Sequence, residues 1–186
     1  LDKIFKRLNN YFLLKISVSL LIIGLFVFEN LSLPIPIINA KIPSFYQQLE
    51  QDKNSYTILE LPFALSTSFY TLGEVKTSSK LQYYQTVHQK YLLGGYISRV
   101  PDSYYKYYSR IVGLDYLINP LKPLENKDIS SIKQAATSNF KKLNIKYIII
   151  HPEYYNHNQL RNSINFLNEI LNIKPTTTEQ MLIYKL

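Results

Sequence analysis

The chain has 186 residues, enough for one domain with its own core but not comfortably for two. It contains no Cys, which excludes disulfides, zinc–thiolate sites and thiol nucleophiles. The net charge is +8, but the basic residues past the N-terminal flank are scattered, with no run longer than Lys141-Lys142, and this argues against a nucleic-acid binder.

The chain opens at Leu1 and not at Met, which suggests a piece of a longer protein whose upstream part is not seen. Residues 1–11 read as a basic cytoplasmic flank. Ile16 to Phe28 is a charge-free apolar run, and with its neighbours the stretch spans 12–33. A helix of that length reaches ~33 Å, enough for a hydrocarbon core of ~30 Å. Lys15 near one end can snorkel, and Pro34 and Pro36 stop the helix. Lys3, Lys6 and Arg7 precede the stretch and Lys15 lies near its start, while Glu29 sits toward its far end, so the positive-inside rule puts residues 34–186 outside the cytoplasm. A signal peptide fits the basic flank and short apolar core, although Ile38-Asn39-Ala40 is a poor cleavage site. A buried core helix is disfavoured by the lack of a polar face.

Residues 34–186 then alternate between helical and strand patterns. Pro43 can start a helix over Ser44 to Gln51, with Phe45 and Leu49 on one face. Tyr56 to Leu61 reads as a strand ended by Pro62. Lys80 to Tyr91 has helical spacing, ended by Gly94-Gly95. Tyr96 to Val100 suggests a short strand and Tyr104 to Val112 a helix. Pro120 and Pro123 mark a loop. A helix from Ser130 to Leu143 buries Ile132, Ala135 or Ala136, Phe140 and Leu143, and Asn144 ends it. Lys146 to His151 (KYIIIH) is a continuous apolar run, as a central strand covered on both faces requires. Asn158 to Leu171 repeats Leu160, Ile164, Leu167 and Leu171 at helical spacing, and Met181 to Lys185 closes the chain as a strand. The fold expected is α/β: one N-terminal transmembrane helix followed by a small layered domain with a mixed or partly parallel sheet.

Three segments together resemble a known family: ILELPF (Ile58 to Phe63), YYQTVHQKYLLGGYISRVP (Tyr83 to Pro101) and LNIKYIIIHPEYY (Leu143 to Tyr155). They are similar to the C-terminal extracytoplasmic domain of bacterial and archaeal multi-pass membrane glycosyltransferases of the GT-C type, over about residues 34–186. The resemblance implies an accessory domain of an integral membrane glycosyltransferase-like protein, contributing substrate binding or structure. In that superfamily the catalytic carboxylates lie in the first extracytoplasmic loop, so none is carried over to this chain. The partners implied are the lipid bilayer and, through the missing upstream region, a lipid-phosphate-linked sugar. No cofactor and no metal are expected in this stretch. The alternative is a membrane-anchored or secreted binding domain with no transferase activity.

Candidate binding residues follow from the side chains themselves. His88, one turn after Tyr84, is a general base if a carboxylate fixes its tautomer, and otherwise a polar residue at a helix end. Gly94 and Gly95, followed by Ser98 and Arg99, can form an anion site from free amides and a guanidinium. The plainer reading is a helix-ending turn with an Arg99–Glu60 ion pair. Glu60, inside an apolar strand, pairs with Arg99 or Lys90, or faces water. Asp115 follows the Gly113 turn as a cap. His151 and His157 are six apart, which matches no common metal spacing. Tyr83, Tyr84, Tyr91, Tyr96, Tyr104, Tyr105, Tyr107 and Tyr108 read first as a Tyr-rich core layer, with sugar stacking or a headgroup position as the alternatives.

Overall fold

The computed structural model describes residues 2–30, 41–67, 69–74, 78–121 and 129–186. They form two compact units, Leu1–Ala40 and Lys41–Leu186.

The described residues of the first unit form one helix, α1 (Asp2–Asn30), of 29 residues. From Tyr11 to Phe28 its described large apolar side chains are exposed, as in Leu20, Leu21, Phe26 and Phe28. Among the described residues no helix is long and apolar enough to cross a membrane. The charge-free run within α1 is 13 residues, Ile16 to Phe28, about 20 Å of helix. The transmembrane helix expected over 12–33 is therefore not found as such. Its last part, 31–33, lies outside the described residues, as do Pro34, Pro36, Ile38-Asn39 and Pro123.

The second unit is α/β with mixed sheets. Its elements are α2 (Ser44–Gln51), β1 (Thr57–Leu61), β2 (Ala64–Ser66), β3 (Thr71–Gly73), α3 (Ser78–His88), β4 (Tyr91–Leu92), β5 (Gly95–Tyr96), α4 (Asp102–Tyr108), α5 (Leu114–Ile118), α6 (Ile129–Lys142), β6 (Ile145–Ile150), α7 (His157–Leu171), β7 (Thr176–Thr178) and β8 (Met181–Lys185). The main sheet has the order β4-β1-β6-β8-β7, and a small sheet has the order β3-β2-β5. β1 runs parallel to both β4 and β6, whereas β8 is antiparallel to β6 and β7.

Alternation along the two central strands makes three layers. Leu59 and Leu61 of β1 and Ile148 and Ile150 of β6 face one core, which α5, α6 and α7 cover with Leu117, Ile132, Phe140, Phe166 and Leu167. Ile58 and Ile149 face the other core, which α2 and α3 cover with Tyr46, Leu49, Leu81 and Tyr84. Each fully buried Ile or Leu contributes roughly 1.5–3 kcal/mol. Because both faces of β1 are covered, Glu60 is buried as well, at 4% exposure.

Several boundaries move. Gln89 takes a left-handed φ of 54°, so α3 stops at His88 and Tyr91 becomes the start of β4. Gly94-Gly95 therefore does not end that helix; Gly94 lies between β4 and β5, and Gly95 is the first residue of β5. The short helix α2 buries Tyr46 and Leu49, with Phe45 at the edge. α7 buries Ser163, Phe166, Leu167 and Ile170, while Leu160, Ile164 and Leu171 flank that stripe. Asn144, at φ 53°, turns the chain from α6 into β6, and Asp115 accepts the Gly113 amide at 3.0 Å. Of the eight tyrosines read as a core layer, Tyr84 is buried and Tyr105 and Tyr108 are half-buried; the other five are exposed.

Candidate functional site

β1 and β6 lie side by side and end together. Open sheets bind ligands beyond the carboxyl ends of parallel strands, because side chains there leave the ladder facing a crevice. Glu60 is the second-last residue of β1, and His151 directly follows β6, its amide donating to the Leu61 carbonyl at 2.9 Å. His151 Nε2 sits 2.8 Å from Glu60 Oε2. Tyr46, reaching over from α2, donates its hydroxyl to Glu60 Oε1 at 2.9 Å and lies 3.3 Å from His151 Nε2. Burial, and then the Glu60 carboxylate, raise the Tyr46 pKa well above its ordinary value, so the phenol keeps its proton and remains the donor.

An ionised Glu60 accepts only, so Nε2 of His151 is the donor in that contact. Nδ1 then faces the other way, toward Glu153, whose Oε1 stands 3.8 Å off, beyond hydrogen-bond reach. His151 and Glu153 open together onto a cleft of about 390 Å³, also lined by Lys41, Lys80, Tyr84 and Glu179. The Lys80 ammonium donates to the Tyr154 hydroxyl at 3.2 Å and lies 5.8 Å from the Tyr84 ring centre. Burial works against its charge, but the Tyr154 hydroxyl and Tyr84 outweigh burial and the pKa of Lys80 is raised. Glu179 accepts the Ser44 amide at 2.8 Å, at the first residue of α2. The cleft thus offers two ammonium groups, two carboxylates and an imidazole nitrogen beside Pro43 and Met181: a lining part polar and part apolar, with its charges balanced.

Of the residues singled out in the sequence, Glu60 and Tyr84 belong here; Tyr84 stacks on Tyr46 with ring centres 4.7 Å apart. His88 does not reach the cleft lining. It is 1% exposed, stacks on the Tyr46 ring at 5.5 Å, and its Nδ1 accepts the Lys90 amide at 3.0 Å. Burial, reinforced by the Lys90 charge, lowers its pKa to about 4, so the imidazole is neutral near pH 7, and it lines a separate pocket with Glu50, Asp52 and Lys90. Gly94 and Gly95 border, with Glu60, a cavity of about 10 Å³, room for about one water. Ser98 and Arg99 are exposed beyond β5. The Arg99–Glu60 pair is not formed, because Tyr46 and His151 take both carboxylate oxygens. Lys90 does not pair with Glu60 either; its ammonium donates to the Asp52 and Asn54 carbonyls.

Sequence reasoning does not reach Tyr46, Lys80, His151 and Glu153 as members of one site. The available signal is positional: two ionisable residues at the carboxyl ends of two apolar strands. Among the described residues no group of His, Asp and Glu has the arrangement of a metal site. No known family model matches the chain, and no curated protein and no solved structure does either.

Proposed function

We propose that this chain is a membrane-anchored, extracytoplasmic α/β domain that binds a sugar-bearing ligand as the accessory part of a membrane glycosyltransferase-like protein. The observation that carries the binding role is the buried Tyr46–Glu60–His151 cluster, which presents the free edge of His151 to the cleft at the ends of β1 and β6. A buried ionisable cluster costs stability unless it is fully paired, and its position at a cleft mouth favours a binding role. The transferase connection rests on the sequence resemblance alone. Anchoring is supported by α1, whose described apolar side chains between Tyr11 and Phe28 are exposed, as in Phe12, Leu20, Leu21, Phe26 and Phe28. Insertion would draw Tyr11–Lys15 into the bilayer beside Ile16–Phe28, with Lys15 extended toward the headgroups.

The test is calorimetric titration of the chain, held in lipid nanodiscs, with a panel of prenyl-phosphate-linked hexoses. Saturable binding to at least one of them, weakened tenfold or more by Lys80→Ala, is expected. The proposal fails if none binds, or if binding is indifferent to Lys80→Ala.

A further inference from the structure

A second surface lies away from the cleft, where the β2–β3 hairpin meets α4. The described residues at this turn, Thr67, Phe69 and Tyr70, are tied together by hydrogen bonds. Thr67 Oγ1 accepts the amides of Phe69 and Tyr70 at 3.2 and 3.1 Å, and the Thr67 amide donates to the Tyr70 carbonyl at 2.8 Å. This turn holds Phe69 outward at 87% exposure, the most exposed large apolar side chain among the described residues. Tyr70 beside it is 57% exposed and packs against Tyr105, with ring centres 6.0 Å apart. α4 adds Tyr104 and Tyr107, both exposed, and the β5 side adds Tyr96 and Ile97, the latter tied to β2 through its amide and the Ser66 carbonyl.

The chemistry of this face is specific. Its tip is a bare phenyl ring, and the rest is mostly tyrosine, apolar in body and polar at the end. Arg99, Lys106 and Arg110 are exposed along the same segment, where Asp102 is the one acid between 96 and 112. A protruding tip encloses no ligand. A planar surface can receive such a tip. Amphipathic aromatics settle at the headgroup level of a bilayer, and each nearby base is attracted to anionic lipid.

We propose that this face docks on an anionic lipid surface: Phe69 enters the boundary between headgroups and acyl chains, the tyrosines lie at headgroup depth, and Arg99, Lys106 and Arg110 meet lipid phosphates. The inference rests on the reading that α1 enters lipid. It adds that the folded domain lies on the bilayer by a defined face, which would hold the cleft at a fixed distance from lipid-linked ligands.

The chain contains no Trp, so Phe69→Trp is a single emitter placed where a larger ring meets nothing. The full chain carrying it is reconstituted into phosphatidylcholine vesicles, with and without phosphatidylglycerol, containing lipids brominated either near the headgroup or at mid-chain. Two parallel variants carry Phe26→Trp in α1 and Tyr91→Trp on the edge strand β4. The expected result for Phe69→Trp is a blue-shifted emission, quenched by the shallow bromines and more strongly with phosphatidylglycerol, while the indole of Tyr91→Trp stays unquenched. Charge reversal at Arg99, Lys106 and Arg110 should reduce the phosphatidylglycerol-dependent quenching at least threefold. If the α1 indole is quenched and the hairpin indole is not, the docking face is wrong and the anchor stands. If neither is quenched, the anchor fails and the docking face with it. Equal quenching of the hairpin and β4 indoles also overturns the proposal, since no particular face is then chosen.

Discussion

Glu60 Oε2 lies 2.8 Å from His151 Nε2, with the two side chains only 5% and 3% exposed, and Tyr46 closes the second carboxylate oxygen at 2.9 Å. Nothing in this cluster can turn to water if one member is lost. Glu60→Ala takes the carboxylate acceptor from both His151 Nε2 and the Tyr46 hydroxyl and leaves them only their own 3.3 Å contact, and each buried polar group weakened in this way costs about 1–3 kcal/mol. Glu60→Gln retains one oxygen acceptor and should cost closer to about 1–2 kcal/mol. Guanidinium unfolding of the two variants, followed by tyrosine fluorescence, reads the difference. Equal and small losses would mean that the three side chains do not form the paired unit described.

His88 should set part of the acid limb of stability. Its pKa is lowered from 6.5 to about 4, first by burial and then by the Lys90 charge. In the unfolded chain the imidazole takes up a proton below about 6.5, while in the fold it stays neutral down to about 4. The unfolded state therefore binds more protons across that window, and stability is whole above pH 6.5 and drains away as pH falls toward 4. At about 1.4 kcal/mol per unit, the whole window amounts to about 3 kcal/mol. Urea midpoints of wild type and His88→Gln, measured from about pH 7.5 to about pH 3.5, should converge toward acid as the variant loses this slope. Parallel curves would remove His88 from the account.

Gly94 is held by its backbone, whatever else it does. Its φ is 110°, and a Cβ placed there would overlap the Ala64 carbonyl oxygen and press on the Phe63 ring at 3.2 Å. A strained φ alone costs about 1–3 kcal/mol, and the overlap adds to it because strand β2 cannot move aside cheaply. Gly94→Ala should therefore lower the unfolding midpoint clearly. Gly24, in α1, has nothing within 4 Å of its missing Cβ, and Gly24→Ala should be neutral or gain up to about 1 kcal/mol of helix propensity. Thermal melts by circular dichroism separate the two.

The parts of the fold that can be read from the sequence are those where one physical cause acts alone. KYIIIH is legible because a strand covered on both faces has no polar residue to hide, and Ile148, Ile149 and Ile150 are all fully buried. Ile132, Ala136 and Phe140 of α6 are legible because a single stripe faces a single core. Helical spacing carries α3 too far because a left-handed Gln89 breaks the helix without the glycine that usually signals it. β2, β3 and β7 are three residues long, too short for a period of two to show. The site is half-legible. Glu60 stands out as a charge in an apolar strand, but its partner His151 is 91 residues away, and only the parallel pairing of β1 with β6 brings them together. The tyrosines mislead because their composition reads as core, while the short α4 buries none of its residues fully.

The start of α7 offers a sharp local test. The apolar spacing points to Asn158, but the helix begins at His157 with Asn156 as its cap. The Asn156 side chain accepts the Gln159 amide at 2.9 Å, and the Gln159 side chain accepts the Asn156 amide at 3.4 Å in return. A backbone amide of the first turn and the amide of the cap itself are thereby satisfied. This start follows closely on His151 and the 3-10 turn Pro152–Tyr154, which carries Glu153 and Tyr154 at the cleft edge. Asn156→Ala should cost about 1 kcal/mol, and Asn156→Asp should recover it, since a carboxylate at a helix start also meets the positive end of the dipole. Hydrogen exchange at Gln159 and Leu160 should speed up in the Ala variant before exchange in β6 changes. If the cleft depends on that segment, the Ala variant will also weaken ligand binding more than its stability loss accounts for, and Asn156→Asp will restore both.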